Sequence, residues 1–178
     1  MKKVVVTGGA GFIGSHLTDA LVEKGYDVHV IDNLSNGTKE NVHPKAVFHE
    51  KNICNATDIA PIIQGAEYVF HLAALPRVTY SIEHPFETNE VNVTGTLNVL
   101  NAAKDAKVKK VIYSASSSAY GDQPTLPLHE DMEPMPKSPY GLQKYISELY
   151  AKMWTDIYGL PTVSLRYFNV YGPRESEE

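Results

Sequence analysis

The chain has 178 residues, 43% hydrophobic and 21% charged, and 16 basic against 21 acidic side chains give a formal net charge of −5. That length suits one ordinary domain with a sizeable core, and mild acidity without a basic cluster argues against a nucleic-acid surface. No stretch nears the ~20 apolar residues of a membrane span, Val4 to Val6 is too brief for a signal-peptide core, and the single cysteine, Cys54, excludes an internal disulfide and fits a reducing, cytoplasmic setting.

The first predicted strand is Lys3–Thr7, and TGGAGFIGSHL follows it at once. Gly9, Gly11 and Gly14 fit G-x-G-x-x-G, while Gly8, Gly11 and Gly14 fit G-x-x-G-x-x-G. In either register small residues permit a tight turn, let backbone approach a pyrophosphate and aim it at a helix N-terminus. The context agrees, with a valine run before the glycines and an amphipathic helix, Ile13–Lys24, after them. The second strand, Asp27–Asp32, ends in an acid that can bind ribose hydroxyls and repel a 2′-phosphate. No arginine stands beside it, so NAD is favoured over NADP.

Strands at Ala46–Glu50, Tyr68–Leu72, Lys110–Ser114 and Thr162–Arg166 follow. They alternate with helical segments at Thr57–Ile63, Thr88–Ala106 and Pro139–Tyr158. Such alternation predicts βαβ units and an α/β, Rossmann-type doubly wound parallel sheet with helices on both faces. The small residues of HLAA (His71–Ala74) leave room for a ligand over a sheet edge or simply pack tightly. Gly95 in NVTGTLNVL costs ~1 kcal/mol against Ala in a helix, so it is expected to permit close packing or cofactor approach. YSASSSAYG (Tyr113–Gly121) places several hydroxyls beyond the fifth strand.

The proline-rich segment Pro124–Pro139 delivers the chain to SPYGLQK. Ser138 suits an N-cap and Pro139 the first helical position, which puts Tyr140 and Lys144 one turn apart on one face. A lysine so placed can lower a phenol pKa for proton transfer. The wide apolar stripe of that helix (Leu142, Tyr145, Ile146, Leu149, Tyr150, Met153, Trp154, Ile157, Tyr158) exceeds what one sheet face requires. The seven histidines show no ligand spacing, so no metal site is expected. His71 reads as a packed, hydrogen-bonded side chain and Cys54 as structural.

TGGAGFIG, VIDNLSNG, HLAA, NVTGTLNVL, SSSAYG, the Tyr140-x-x-x-Lys144 pair and RYFNVYGPR together resemble an extended short-chain dehydrogenase/reductase, and within it the NAD-dependent nucleotide-sugar epimerases of the UDP-glucose 4-epimerase type. The resemblance runs from Lys3 to Arg174. It implies that Tyr140 is the base at the sugar 4-hydroxyl, that Lys144 holds the nicotinamide ribose, and that Ser116 hydrogen-bonds the reacting oxygen. The positions matching NAD contacts are Gly8, Gly11, Phe12, Ile13, Asp32, Asn33, Asn36, Asn52, Ile53, Leu72, Ala73, Ala74, Asn92, Ser114 and Phe168, with Tyr140 and Lys144. Ser116, Tyr140 and Asn169 match substrate contacts, Asn169 at the nucleotide diphosphate.

The departures are informative. Asn52 stands where many relatives carry an aspartate facing the adenine, and Pro76, followed by Arg77, where they carry a lysine. Ser117 and Ser118 replace the Asp-Glu pair of sugar-nucleotide dehydratases, which disfavours dehydration. The sequence predicts an NAD-binding domain over 1–174 and an acidic tail over 175–178, with most of the family's C-terminal substrate-binding domain absent. A piece of a longer protein is expected, ahead of a lobe supplied by a second chain or a short NAD-binding protein without turnover. The resemblance also implies a homodimer through the Tyr140–Tyr158 helix and a nucleotide-sugar partner, with neither nucleic acid nor membrane. Two rival functions stay open, a non-catalytic NAD-binding module and a net oxidoreductase on the same sugars.

Overall fold

A computed structural model describes residues 1–175; of the expected acidic tail, residues 176–178 lie outside the described part. Six strands form one wholly parallel sheet: β1 Lys3–Thr7, β2 Asp27–Asp32, β3 Val47–Glu50, β4 Tyr68–His71, β5 Lys110–Ser116 and β6 Thr162–Tyr167, in the order β3-β2-β1-β4-β5-β6. The helices are α1 Phe12–Glu23, α2 Ala56–Ile63, α3 Val78–Glu83, α4 Pro85–Asn89, α5 Thr96–Asp105 and α6 Pro139–Tyr158, with a π-helical stretch, Glu90–Gly95, between α4 and α5.

Alternation along β1 builds two cores at once. Val4 and Val6 pack with Val28 and Val30 against Leu21 of α1, while Val5 joins Ile31, Val69 and Val111 against Ile59, Ile63, Val99, Leu100 and Ala151 on the opposite face. All of these side chains are essentially shielded from water. The valine-rich runs are those of strands covered on both faces, and the parallel, doubly wound sheet agrees with the sequence reading. Strand order reverses between β1 and β4, so their carboxyl ends diverge and open a crevice there.

The predicted strands are reproduced to within one or two residues, and β5 runs two residues further, to Ser116. The predicted Thr88–Ala106 helix is instead three successive stretches, and α3 was not anticipated. A Cβ on Gly95 would lie 2.7 Å from Ile53 Cδ1, so that glycine serves close packing. Ser138 caps α6, its Oγ accepting from Gly141 N at 3.0 Å, with Pro139 next in the first turn. Among the described residues no helix is long and apolar enough to cross a membrane, and no group of three or more His, Cys, Asp or Glu side chains is placed to hold a metal ion.

Candidate active site

A cleft of about 900 Å³ lies over the carboxyl ends of the strands, at the point where strand order reverses. Its floor is the β1–α1 turn. Gly8 adopts φ +74°, and a Cβ there would lie 2.7 Å from Ala73 N; a Cβ on Gly14 would lie 2.1 Å from Gly8 O. Side chains are therefore excluded by backbone on two sides. Gly11 differs: among the described residues its Cβ would meet, within 4 Å, just Gly8 O at 3.4 Å, so this residue presents bare backbone to the cleft. Gly11 is also the N-cap of α1 and offers no side-chain cap, leaving the first-turn N–H groups and the positive end of the helix dipole to an anion.

Asp32 closes one end. Its carboxylate accepts from Ala10 N (3.0 Å) and Leu34 N (2.8 Å), which pins the glycine turn to β2 while leaving lone pairs on the cleft side. Asn41 Nδ2 and Thr38 N both donate to Ala10 O, at 3.1 and 3.2 Å, and fasten the same turn from outside. Asn52 uses its side-chain carbonyl locally, accepting from Cys54 N at 2.9 Å.

The other end is built from side chains far apart in sequence. Ser116 terminates β5, and its Oγ accepts from Ser118 N at 3.1 Å, so its proton remains to be given elsewhere. Tyr140 is the second residue of α6, its backbone N–H held by Ser81 Oγ at 3.0 Å. Burial pushes the Tyr140 phenol above its ordinary value, and a hydrogen bond from Ser116 pulls it back. Lys144, one turn on, is 4% exposed, donates to Ser114 O at 2.8 Å and lies 5.1 Å from the Tyr113 ring centroid. Burial lowers this ammonium to about 8. The sequence suggested that the lysine charge can lower the phenol; here the ammonium is turned to the Ser114 carbonyl, and burial and Ser116 act on Tyr140.

Of the residues singled out from the sequence, Gly8, Gly11, Phe12, Ile13, Asp32, Asn33, Asn36, Asn52, Ile53, Leu72, Ala73, Ala74, Ser114, Ser116, Tyr140 and Lys144 all line this one cleft. Asn92 does not. It is buried, its amide accepting from Leu75 N (2.8 Å) and donating to Leu75 O (3.1 Å) and Gln143 Oε1 (2.8 Å), so it shapes the wall from behind. Phe168 and Asn169 lie exposed just past β6 outside the lining, Phe168 stacked on Tyr120 with centroids 6.2 Å apart. Sequence reasoning overlooked Gly37, whose Cβ would meet Ala10 O at 2.5 Å, and the charged lining residues Lys51, Glu87, Glu90 and Arg174. The Asn36-Gly37 dipeptide could have flagged the first; scattered single charges give no local signal.

A parallel sheet with a glycine turn at its switch point, and a serine, tyrosine and lysine gathered over its far end, defines a Rossmann-type dinucleotide-binding fold. The chain belongs to the NAD dependent epimerase/dehydratase family, whose model matches residues 4–178. It is 39% identical over 181 residues to a UDP-glucose 4-epimerase of Mycolicibacterium smegmatis, covering 97% of this chain and 58% of that protein. Among solved structures it superposes on a UDP-N-acetylglucosamine 4-epimerase of Methanobrevibacter ruminantium, in complex with UDP-N-acetylmuramic acid, with TM-score 0.95 and 46% identity over 99% of this chain and 57% of the other. A UDP-glucose 4-epimerase of Thermus thermophilus in complex with NAD gives TM-score 0.94 and 38% identity, over 99% and 58%. The chain thus spans little more than half the length of these relatives.

Proposed function

We propose that residues 1–174 form the cofactor-binding and catalytic unit of an NAD-dependent 4-epimerase of nucleotide-activated hexoses, and that the grip on the nucleotide base lies outside this unit. The observation that carries the reading is the convergence of Ser116, Tyr140 and Lys144 on the cleft that the Gly8–Gly14 turn begins. That turn fits a dinucleotide: bare backbone at Gly11, an uncapped helix start and a carboxylate at the end of β2 suit a pyrophosphate flanked by a ribose. NAD would be held by these residues and would supply a reversible hydride acceptor at the sugar C4. Ser114, Leu72, Ala73 and Ala74 would line its path to Lys144, to which we assign the nicotinamide ribose.

Tyr140 takes the proton of the sugar 4-hydroxyl as that carbon is oxidised and returns it when the carbon is reduced on its other face. Ser116 donates to the same reacting oxygen. To take that proton Tyr140 must begin as the phenolate, which the hydrogen bond from Ser116 favours, and it becomes the neutral phenol on taking it. Asn169 is assigned to the substrate diphosphate and Phe168 to the cofactor, both reached from the end of β6. With Ser117 and Ser118 following Ser116, no carboxylic acid of this turn stands ready to expel water.

Homodimerisation is part of the proposal. Helix α6 exposes Leu142, Leu149, Met153, Ile157 and Tyr158, each between 43% and 61%, an apolar row that a second copy would cover. The one cysteine, Cys54, is a free thiol, which fits the cytoplasm. The reading is tested by incubating NAD-loaded chain with UDP-galactose and UDP-N-acetylgalactosamine. Conversion to the gluco epimers without net NADH supports it. Stoichiometric NADH would make the protein an oxidoreductase, and bound NAD with no conversion would make it a binding module.

A further inference from the structure

His71 ends β4 with 1% exposure and takes no part in the proton transfer above. Its Nδ1 lies 2.7 Å from Thr7 Oγ1 and its Nε2 lies 2.9 Å from Thr96 Oγ1. The neighbours fix the direction of both bonds. Thr96 Oγ1 donates its single proton to Asn92 O at 2.7 Å, so it can only accept from His71 Nε2–H. Thr7 Oγ1 accepts Ala73 N–H at 3.2 Å and gives its own proton to Nδ1. The opposite tautomer, or the imidazolium, would leave the Thr7 proton without an acceptor in a site where water does not reach. Burial together with the nearby Lys144 charge lowers this imidazole to about 3, in accord with a neutral ring.

The result is one unidirectional chain of donors, Ala73 N–H to Thr7, Thr7 to His71, His71 to Thr96 and Thr96 to Asn92 O. The same carbonyl accepts from Ser147 Oγ of α6 at 2.8 Å, and the Asn92 side chain grips Leu75 on one side and Gln143 of α6 on the other. Both ends of the Ala73–Leu75 cleft wall are therefore tied to the helix that carries Tyr140 and Lys144. We propose that His71 is a positioning residue, whose single neutral tautomer locks the cleft wall at Ala73–Leu75 to helix α6 and so sets the spacing between bound dinucleotide and the Tyr140–Lys144 pair. The positioning role rests on the dinucleotide reading of the cleft; the tautomer does not.

The test uses the full chain and two readouts. Nitrogen NMR of the His71 ring is expected to show Nε2 protonated, Nδ1 unprotonated and no titration down to about pH 5. Calorimetry with NAD is expected to show dissociation constants about tenfold weaker in Thr96→Val, which leaves Nε2–H without an acceptor, and within about twofold of wild type in Thr96→Ser. In a His71→Leu background, adding Thr96→Val should weaken NAD no further. A ring protonated on Nδ1 overturns the relay. Thr96→Val that melts earlier yet binds NAD like wild type, or Thr96→Ser that fails to restore affinity, makes the cluster mere packing. A wild-type chain with the assigned tautomer but no NAD binding overturns the cleft reading, and the positioning role with it.

Discussion

The two ends of the cleft are made of different material. Around β1, β2 and the start of α1 the contacts come from backbone: Gly8 and Gly14 are closed in by main-chain atoms, Gly11 is bare, and even Asp32 spends its hydrogen bonds on the amides of Ala10 and Leu34. Around β4, β5 and α6 the contacts come from side chains: buried Ser116 and Lys144, half-buried Tyr140, and the His71 relay with its threonine hydroxyls. Backbone recognition suits a ligand common to many reactions, since it reads shape and charge. Buried side chains suit chemistry, because low dielectric strengthens their electrostatics and penalises any unpaired group.

Substitutions can separate the two ends, and the largest effect is expected at Gly14. A Cβ 2.1 Å from Gly8 O forces the turn to shift, so Gly14→Ala should lower unfolding free energy by about 1–3 kcal/mol and weaken NAD together, read by denaturation and calorimetry. Gly11→Ala should divide those readouts. Among the described residues its Cβ meets, within 4 Å, just Gly8 O at 3.4 Å, so stability should move by less than about 1 kcal/mol while NAD weakens by about tenfold or more. Equal loss of stability in both variants would contradict the bare-backbone role of Gly11.

Next comes Asp32→Asn. One carboxylate oxygen becomes an amide that cannot accept from Ala10 or Leu34, so NAD should weaken by about tenfold and the preference over NADP should narrow. A smaller effect belongs to the catalytic end and to pH. Lys144 is lowered to about 8, below its ordinary 10.5, so between those values the unfolded chain binds the extra proton and stability rises with pH. Burial raises the Tyr113 and Tyr140 phenols, which works the other way above pH 10. The difference between wild type and Lys144→Met should therefore appear as a stability slope over about pH 8–10, present in wild type and missing in the variant. The mildest change is Asn52→Asp, which keeps an acceptor for Cys54 N and should alter NAD affinity by no more than about threefold.

The same division decided what could be read from sequence. The glycine turn, β2 and Asp32 are contiguous, and backbone chemistry leaves a compact trace in residue type, so their joint place on the cleft was foreseeable. Tyr140 and Lys144 were visible as an i, i+4 pair behind an N-cap and proline, and Ser116 through family resemblance. What could not be read is how those side chains are held. Asn92 looked like a cofactor contact, yet its amide is consumed by Leu75 and Gln143. His71 read as a packed, hydrogen-bonded side chain, and it is one, but its fixed tautomer depends on hydroxyls at positions 7 and 96 that only the fold brings together. Likewise α3 lacked a strong periodic signal, and its existence shows through tertiary contact, with Ser81 Oγ holding Tyr140 N.

The most direct test of an NAD-dependent epimerase unit sets Tyr140→Phe beside wild type, with NAD affinity by calorimetry and conversion of UDP-galactose by product analysis on the same samples. The expected result is NAD affinity within about twofold and conversion reduced by about 10²–10⁴-fold, since the variant keeps the ring and loses only the proton-transferring oxygen. Conversion that persists at the wild-type rate in Tyr140→Phe would contradict the assignment of the base and, with it, the chemistry proposed for this cleft.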